Sequence, residues 1–373
     1  MLKFKAYFHD ESVCIDSCSY KSNETLTACL GFPAEELSDC LVQLWKLVPR
    51  AQLYGGSSEQ LRAFLDCMQQ AQKLFLRLGA LASQLPPFSH GVLSRILFEP
   101  RLSYTLDGLC SAGGMSQVQI DDSAHFTVIY FPRISSTLTQ LSAKEAMEKL
   151  ERLNSEVAAL FEEYIFLADD ILQAQKAYSV LLEKYIHTKR AFLGGTELAD
   201  CFAHYIADVM QTDIREKLPL SCCVPSSYSL YKDHDGIERL CLVCDFERLR
   251  DFLYIDFFRG LERSFLPRRC DNCGQYFLLT GGKYSSYCER PLPDDPEKTC
   301  RSVGAKKRYG SKCKNDPVWL AYNRAYKTHY ARYMKGKMTA PEFECWSRYA
   351  VSLREQASDG TLGTEQYERM IKE

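Results

Sequence analysis

Residues 268–310 read RRCDNCGQYFLLTGGKYSSYCERPLPDDPEKTCRSVGAKKRYG. Cys270 and Cys273 frame a C-x2-C turn with Gly274 behind it, and Cys288 and Cys300 follow at longer intervals. Such a turn offers two thiolates from one tight knuckle, and the glycine permits the positive φ that turns nearby N–H groups toward sulfur. Residues 276–279 and 284–287 read as two short strands joined through Thr280-Gly281-Gly282, a hairpin that would return Cys288 to the knuckle. Cys300 follows a polar loop, 291–299, and opens a helix ending near Gly310. Knuckle, hairpin and a ligand at a helix start predict a zinc-ribbon or treble-clef-like module, with one zinc ion held by Cys270, Cys273, Cys288 and Cys300. A helix N-terminus also favours a thiolate electrostatically. Four protein ligands close the site to water, so the expected metal is structural rather than catalytic. Cys313 is a substitute candidate for one position, and the bland alternative is a set of reduced, metal-free thiols.

Downstream of the cluster the charge changes sign. Residues 301–337 carry 11 Lys and Arg against the single acid Asp316, a net +10, which leaves −12 for the rest of a chain whose total is −2. Lys306, Lys307, Arg308, Lys312 and Lys314 come first, and a helix is predicted from 317 to about 335. On it Trp319, Tyr322, Tyr326, Tyr330 and Tyr333 fall three or four apart and share one face, with Arg324, Lys327 and Arg332 mostly off it. A last helix follows the capping-box pair Thr339 and Glu342. Lys and Arg in this density displace counterions from nucleic acid, so Lys306, Lys307, Arg308, Lys312, Arg324, Lys327 and Arg332 are the candidate DNA or RNA contacts. The competing reading is a solvated basic face, or one docked on the acidic remainder, with the aromatic stripe turned inward as core.

Upstream the pattern is helical. Ser57 with Gln60 caps a helix over 57–85, whose apolar positions include Leu61, Phe64, Leu65, Met68 and Phe75. Ser142 with Glu145 caps a longer one over 142–187, carrying Leu150, Leu153, Val157, Leu160 and Phe161. Their shared period predicts that the two pack together and bury Leu65, Phe75, Leu150, Leu160 and Phe161. Further helices are expected over 35–48, 196–210 and 246–261, the last capped by Asp245. Strands are expected within 103–131, best at 125–131, and in a hairpin of 228–231 with 239–243 around Asp235-Gly236. Cys241-x2-Cys244 lacks the knuckle glycine and lies in a strand-like run, so these read as core thiols, as do Cys222 and Cys223.

The whole chain has 373 residues, 46% hydrophobic and 25% charged, which excludes wholesale disorder and fibrous repeats. No apolar run is long enough for a membrane span, and Asp10 and Glu11 interrupt the start before any signal-peptide core, so a cytoplasmic protein is expected. Seventeen cysteines in that compartment read as thiols or metal ligands, not disulfides. The expected fold is mainly α with minor β. It divides into a helical N-terminal body with some strands over 1–220, a hairpin and helix over 221–266, the zinc module over 267–312 and a basic aromatic helical tail over 313–373.

From Phe252 to Leu353 the chain resembles a bacterial family known as domain of unknown function 6076. The resemblance lies in DFLYIDFFRGLERSFLPRRCDNCGQYFLLTGG, the YC and TCR pair, GAKKRY, and AYKTHYARYMKGKMTAPEFECWS. The cluster is also similar to the CGNR zinc finger of bacterial regulators, with Cys300-Arg301-Ser302-Val303 where that finger has Cys-Gly-Asn-Arg. These resemblances imply zinc and DNA binding. The expected function is that of a zinc-binding, nucleic-acid-binding protein in a regulatory or mobile-element setting. No HExxH, Walker A, GxSxG or GxGxxG pattern occurs, so no enzyme is expected. The alternative function is a protein-interaction scaffold in which zinc only staples the C-terminal helices.

Overall fold

The computed structural model describes residues 3–16, 18–55, 57–89, 133–187, 195–211, 222–232, 236–280 and 284–372, apart from the side chains of 305 and 312–315. The strand expected at 125–131 lies outside them. Helices dominate, and strands are few and short, so the architecture is mainly α with minor β. By its contacts the chain divides into two units, Met1–Arg269 with Gln275–Ser285, and Cys270–Gly274 with Ser286–Glu373.

The first unit begins with three strands that helical periodicity does not reveal: β1 (Phe4–His9), β2 (Ser12–Ile15) and β3 (Cys18–Lys21). They join β4 (Ser226–Lys232) and β5 (Glu238–Phe246) in an antiparallel sheet of order β3-β2-β1-β5-β4. Pairing Phe4 with Phe246 and Ala6 with Cys244 sets the register, and Phe4, Ala6 and Phe8 alternate inward. β5 therefore runs through Phe246, where a helix was expected. The helix starts only at Leu249, because the Phe246 ring is better buried against Phe4, Phe8 and Phe252 inside the sheet's core face.

Helices α1 (Glu24–Leu30), α2 (Ala34–Leu47), α3 (Ser58–Ala82), the short α4 (Pro86–Ser89), α5 (Ala143–Val180), α6 (Gly195–Gln211) and α7 (Leu249–Glu262) belong to this unit. The Ser57 side chain accepts a hydrogen bond from the Gln60 N–H, and Ser142 and Glu145 form a reciprocal capping box. α5 is the central helix and packs against α1, α2, α3 and α7. Leu65, Phe75, Leu150, Leu160 and Phe161 are all buried, with Phe75 stacked on Tyr164 at 4.3 Å and edge-on to Phe161 at 5.2 Å. Cys241 and Cys244 are buried strand thiols. One buried ion pair pins α5: Asp170 accepts from Arg248 Nε at 3.1 Å and from the Arg250 N–H at 3.2 Å, and the Arg248 guanidinium lies over the Phe166 ring.

In the second unit, α8 (Cys300–Asn315), α9 (Pro317–Met334), α10 (Ala340–Ser358) and α11 (Thr364–Met370) follow the cysteine cluster. Asp316 caps α9 through the N–H groups of Val318 and Trp319, and Thr339 and Glu342 form a capping box on α10. Their small core contains Val318, Ala325, Trp346, Ala350, Leu353, Tyr367 and Ile371.

Candidate metal centre

Strands β6 (Leu266–Arg269) and β7 (Tyr276–Leu279) pair with each other, and the C-x2-C knuckle lies between them in sequence. The expected pairing of 276–279 with 284–287 does not form. Pro267 is a strand residue opposite Leu278, a place open to proline in a two-stranded sheet where every strand is an edge. The loop expected at 291–299 holds another small hairpin, β8 (Pro291–Leu292) with β9 (Asp295–Thr299).

The knuckle itself closes through the Gly274 N–H, which donates to the Cys270 carbonyl at 2.9 Å. Gly274 has φ 73°, the left-handed conformation that disfavours any residue with a Cβ. The Asp271 N–H donates to the Ser286 carbonyl at 2.9 Å and draws the segment leading to Cys288 alongside. The Arg301 N–H then donates to the Cys288 carbonyl, and the Cys300 N–H to the Arg290 carbonyl, both at 3.0 Å. Thr299 and Ser302 exchange backbone-to-hydroxyl bonds and cap the start of α8, which fixes Cys300 in its first turn. Gly304, one turn on, lies so close to Tyr287 that a Cβ there would meet the ring at 2.4 Å.

The result is one cluster. The sulfurs of Cys270, Cys273, Cys288 and Cys300 lie within 4.8 Å of one another, and Cys273 Sγ is 3.7 Å from Cys288 Sγ. Thiolates at about 2.3 Å from a tetrahedral ion are spaced about 3.8 Å apart, so these four positions fit a single metal ion. Cys270, Cys288 and Cys300 are buried and Cys273 is exposed. Cys270 Sγ accepts from the N–H groups of Asn272 and Cys288, each at 3.4 Å, and Cys300 Sγ from Asn272 Nδ2 at 3.3 Å. Burial opposes ionisation of Cys270, yet the N–H groups of Cys273, Cys288 and Asn272 outweigh it and bring its pKa down to about 7. Cys288, desolvated and crowded by the three other sulfurs, is pushed up to about 12, and burial also raises Cys300. Four thiolates so close repel one another unless a cation sits among them. The Cys313 side chain lies outside the described residues.

The candidate nucleic-acid contacts fall on α8 and α9. Lys306, Lys307 and Arg308 are exposed and fan around α8. Arg324, Lys327 and Arg332 are exposed on α9 and, with Lys335, span an arc of about 140° at about 100° per residue. Among the described residues the ion pairs of this unit are Lys298–Asp295, Arg301–Glu289, Arg348–Glu344, Arg354–Glu355 and Lys372–Glu368, so none of these six cations is tied up in one. The Lys312 side chain lies outside the described residues. Tyr309 joins α8 to α9 by donating to Asn323 Oδ1 at 2.5 Å and by an edge contact with Trp319. The aromatic stripe of α9 is divided. Tyr322 and Tyr326 pack on the small core, with Tyr326 against Phe343 and Trp346, while Tyr330 and Tyr333 remain exposed.

A family model described as "Family of unknown function (DUF6076)" matches residues 221–373, a span that takes in the β4–β5 hairpin, α7, the cysteine cluster and the four helices behind it. No curated protein and no solved structure matches the chain. No helix among the described residues is long and apolar enough to cross a membrane.

Proposed function

We propose that Cys270, Cys273, Cys288 and Cys300 hold one structural zinc ion, and that this ion presents α8 and α9 as a nucleic-acid-binding surface, with DNA the favoured partner in a regulatory or mobile-element setting. An all-thiolate tetrahedral set selects zinc or iron–sulfur chemistry, and four sulfurs around one position suit a single zinc ion.

The observation that carries the binding half is the state of the cations. Lys306, Lys307, Arg308, Arg324, Lys327 and Arg332 are exposed, and no ion pair among the described residues neutralises them. A cation already paired with a carboxylate has little to gain from a phosphate, whereas these retain their full charge for counterion release. The scaffold alternative expects these side chains to be paired with acids of the same chain.

Titration of fluorescent DNA and RNA oligonucleotides at several salt concentrations tests the proposal. Affinity should fall steeply with salt, and Lys306→Glu with Lys307→Glu should weaken binding at least tenfold with zinc content unchanged. Undetectable binding at low salt, or a double variant that binds like wild type, rejects the nucleic-acid reading and leaves the metal as a staple.

A further inference from the structure

The four sulfurs are not equivalent. Cys270, Cys288 and Cys300 are buried, and only Cys273 reaches solvent. The sulfurs of Cys270, Cys300 and Cys288 are further quietened by N–H donors from Asn272, Cys288 and Arg290, which draw electron density from a thiolate. Cys273 has a second thiolate in reach, because Cys288 Sγ lies 3.7 Å away, a gap that closes to a disulfide with less than about 2 Å of movement. Cys288 is too buried to meet an oxidant first but is placed to resolve one that has reacted.

We infer that Cys273 is an oxidation site for hydroperoxides, with Cys288 as its resolving partner, and that their disulfide expels the zinc. The inference rests on the proposed metal occupancy. In the first step the Cys273 thiolate attacks a peroxide oxygen. The S–O bond forms, the O–O bond breaks, and the leaving hydroxide takes a proton to become water. In the second step the Cys288 thiolate attacks the sulfenic sulfur. The S–S bond forms, the S–O bond breaks, and a second protonated hydroxide departs as water. In sum two thiolates, one hydrogen peroxide and two protons give one disulfide and two waters, with the peroxide as the two-electron oxidant. The metal keeps only Cys270 and Cys300 and is released. Since Cys300 begins α8, loss of the ion frees the start of the helix that carries Lys306, Lys307 and Arg308.

The test uses the full chain. Metal analysis first establishes one zinc per chain; a chain purified without zinc defeats the proposed function before any oxidant is added. The zinc-loaded protein is then exposed to limiting hydrogen peroxide, zinc release is followed with a chromogenic chelator, and quenched samples are mapped by mass spectrometry. The expected result is a Cys273–Cys288 disulfide that appears in step with zinc release. Zinc release with Cys273 still reduced, or a first disulfide within the cluster that joins any other pair, overturns the inference and leaves the zinc reading intact. Cys223 and Cys345 are also exposed but lie outside the cluster, so they serve as controls. Cys223→Ser with Cys345→Ser should release zinc at the wild-type rate, and a fall of more than about twofold would show that oxidation enters elsewhere.

Discussion

In the first unit Phe75, Phe161 and Tyr164 interlock between α3 and α5, and Phe4, Phe8, Phe246 and Phe252 fill the face of the sheet. Nothing comparable lies along α8, where Val303 is the only aliphatic residue larger than alanine from Cys300 to Asn315. A helix so poor in apolar side chains cannot be held by burial, whose contribution scales with apolar area removed from water. Its first residue is one of the four clustered cysteines, Gly304 packs close to Tyr287, and Tyr309 ties it to α9. The first unit thus has a large core, while the second has a small one behind α9, α10 and α11, with four cysteines gathered where α8 begins. Among the described residues, Lys306, Lys307, Arg308, Arg324, Lys327 and Arg332 are exposed and stand outside the ion pairs of this unit.

The largest expected effect follows from removing a ligand. Apparent metal-binding free energies in small thiolate sites run to about 10–16 kcal/mol, and that energy is folding energy. Cys288→Ser should abolish stoichiometric zinc binding and expose residues 286–315 to proteolysis, with the first unit still folded. Full zinc retention in this variant would break the contrast between the regions. In the opposite direction, Phe161→Ala should cost the first unit about 3–5 kcal/mol, read as a lower urea midpoint, without change in zinc content.

A smaller effect concerns a carboxyl inside the first unit. Asp256 is fully buried, and desolvation raises its pKa to about 7 even though its Oδ2 accepts the Asn23 N–H at 2.8 Å. The folded state therefore holds a proton that the unfolded chain gives up near its ordinary value of 3.8. The resulting stabilisation is full below about pH 4 and is lost as pH rises toward about 7. Asp256→Asn should flatten that slope and raise the urea midpoint at pH 8 relative to wild type. A midpoint with the same pH dependence in both proteins would contradict this account.

Sequence carried some of these elements clearly and others not at all. α3 and α5 were legible because their apolar positions repeat at helical spacing over many turns and both begin at a capping serine. The knuckle was legible because C-x2-C-G is local chemistry, and Gly274 does take the positive φ the motif requires. The N-terminal strands were not. β2 and β3 have four residues each, and β1 finds its partner β5 more than two hundred residues away, information that no local window contains. The partner of β7 was not legible, because proline is rare within strands and Pro267 marks β6 only once the two-stranded edge context is known. Along the tail, spacing placed Tyr322, Tyr326, Tyr330 and Tyr333 on one face but could not tell which of them the neighbouring helix would cover. Phe343 and Trp346 on α10 decide that, and they bury Tyr326 more than Tyr330.

The measurement that bears most directly on the proposed zinc site is amide hydrogen exchange on the full chain, before and after treatment with a strong chelator. Protection should collapse in residues 270–274 and 286–315, persist in α3, α5 and the five-stranded sheet, and return when one equivalent of zinc is restored. Unchanged protection around Cys300 after the metal is gone, or equal loss in both units, would contradict it.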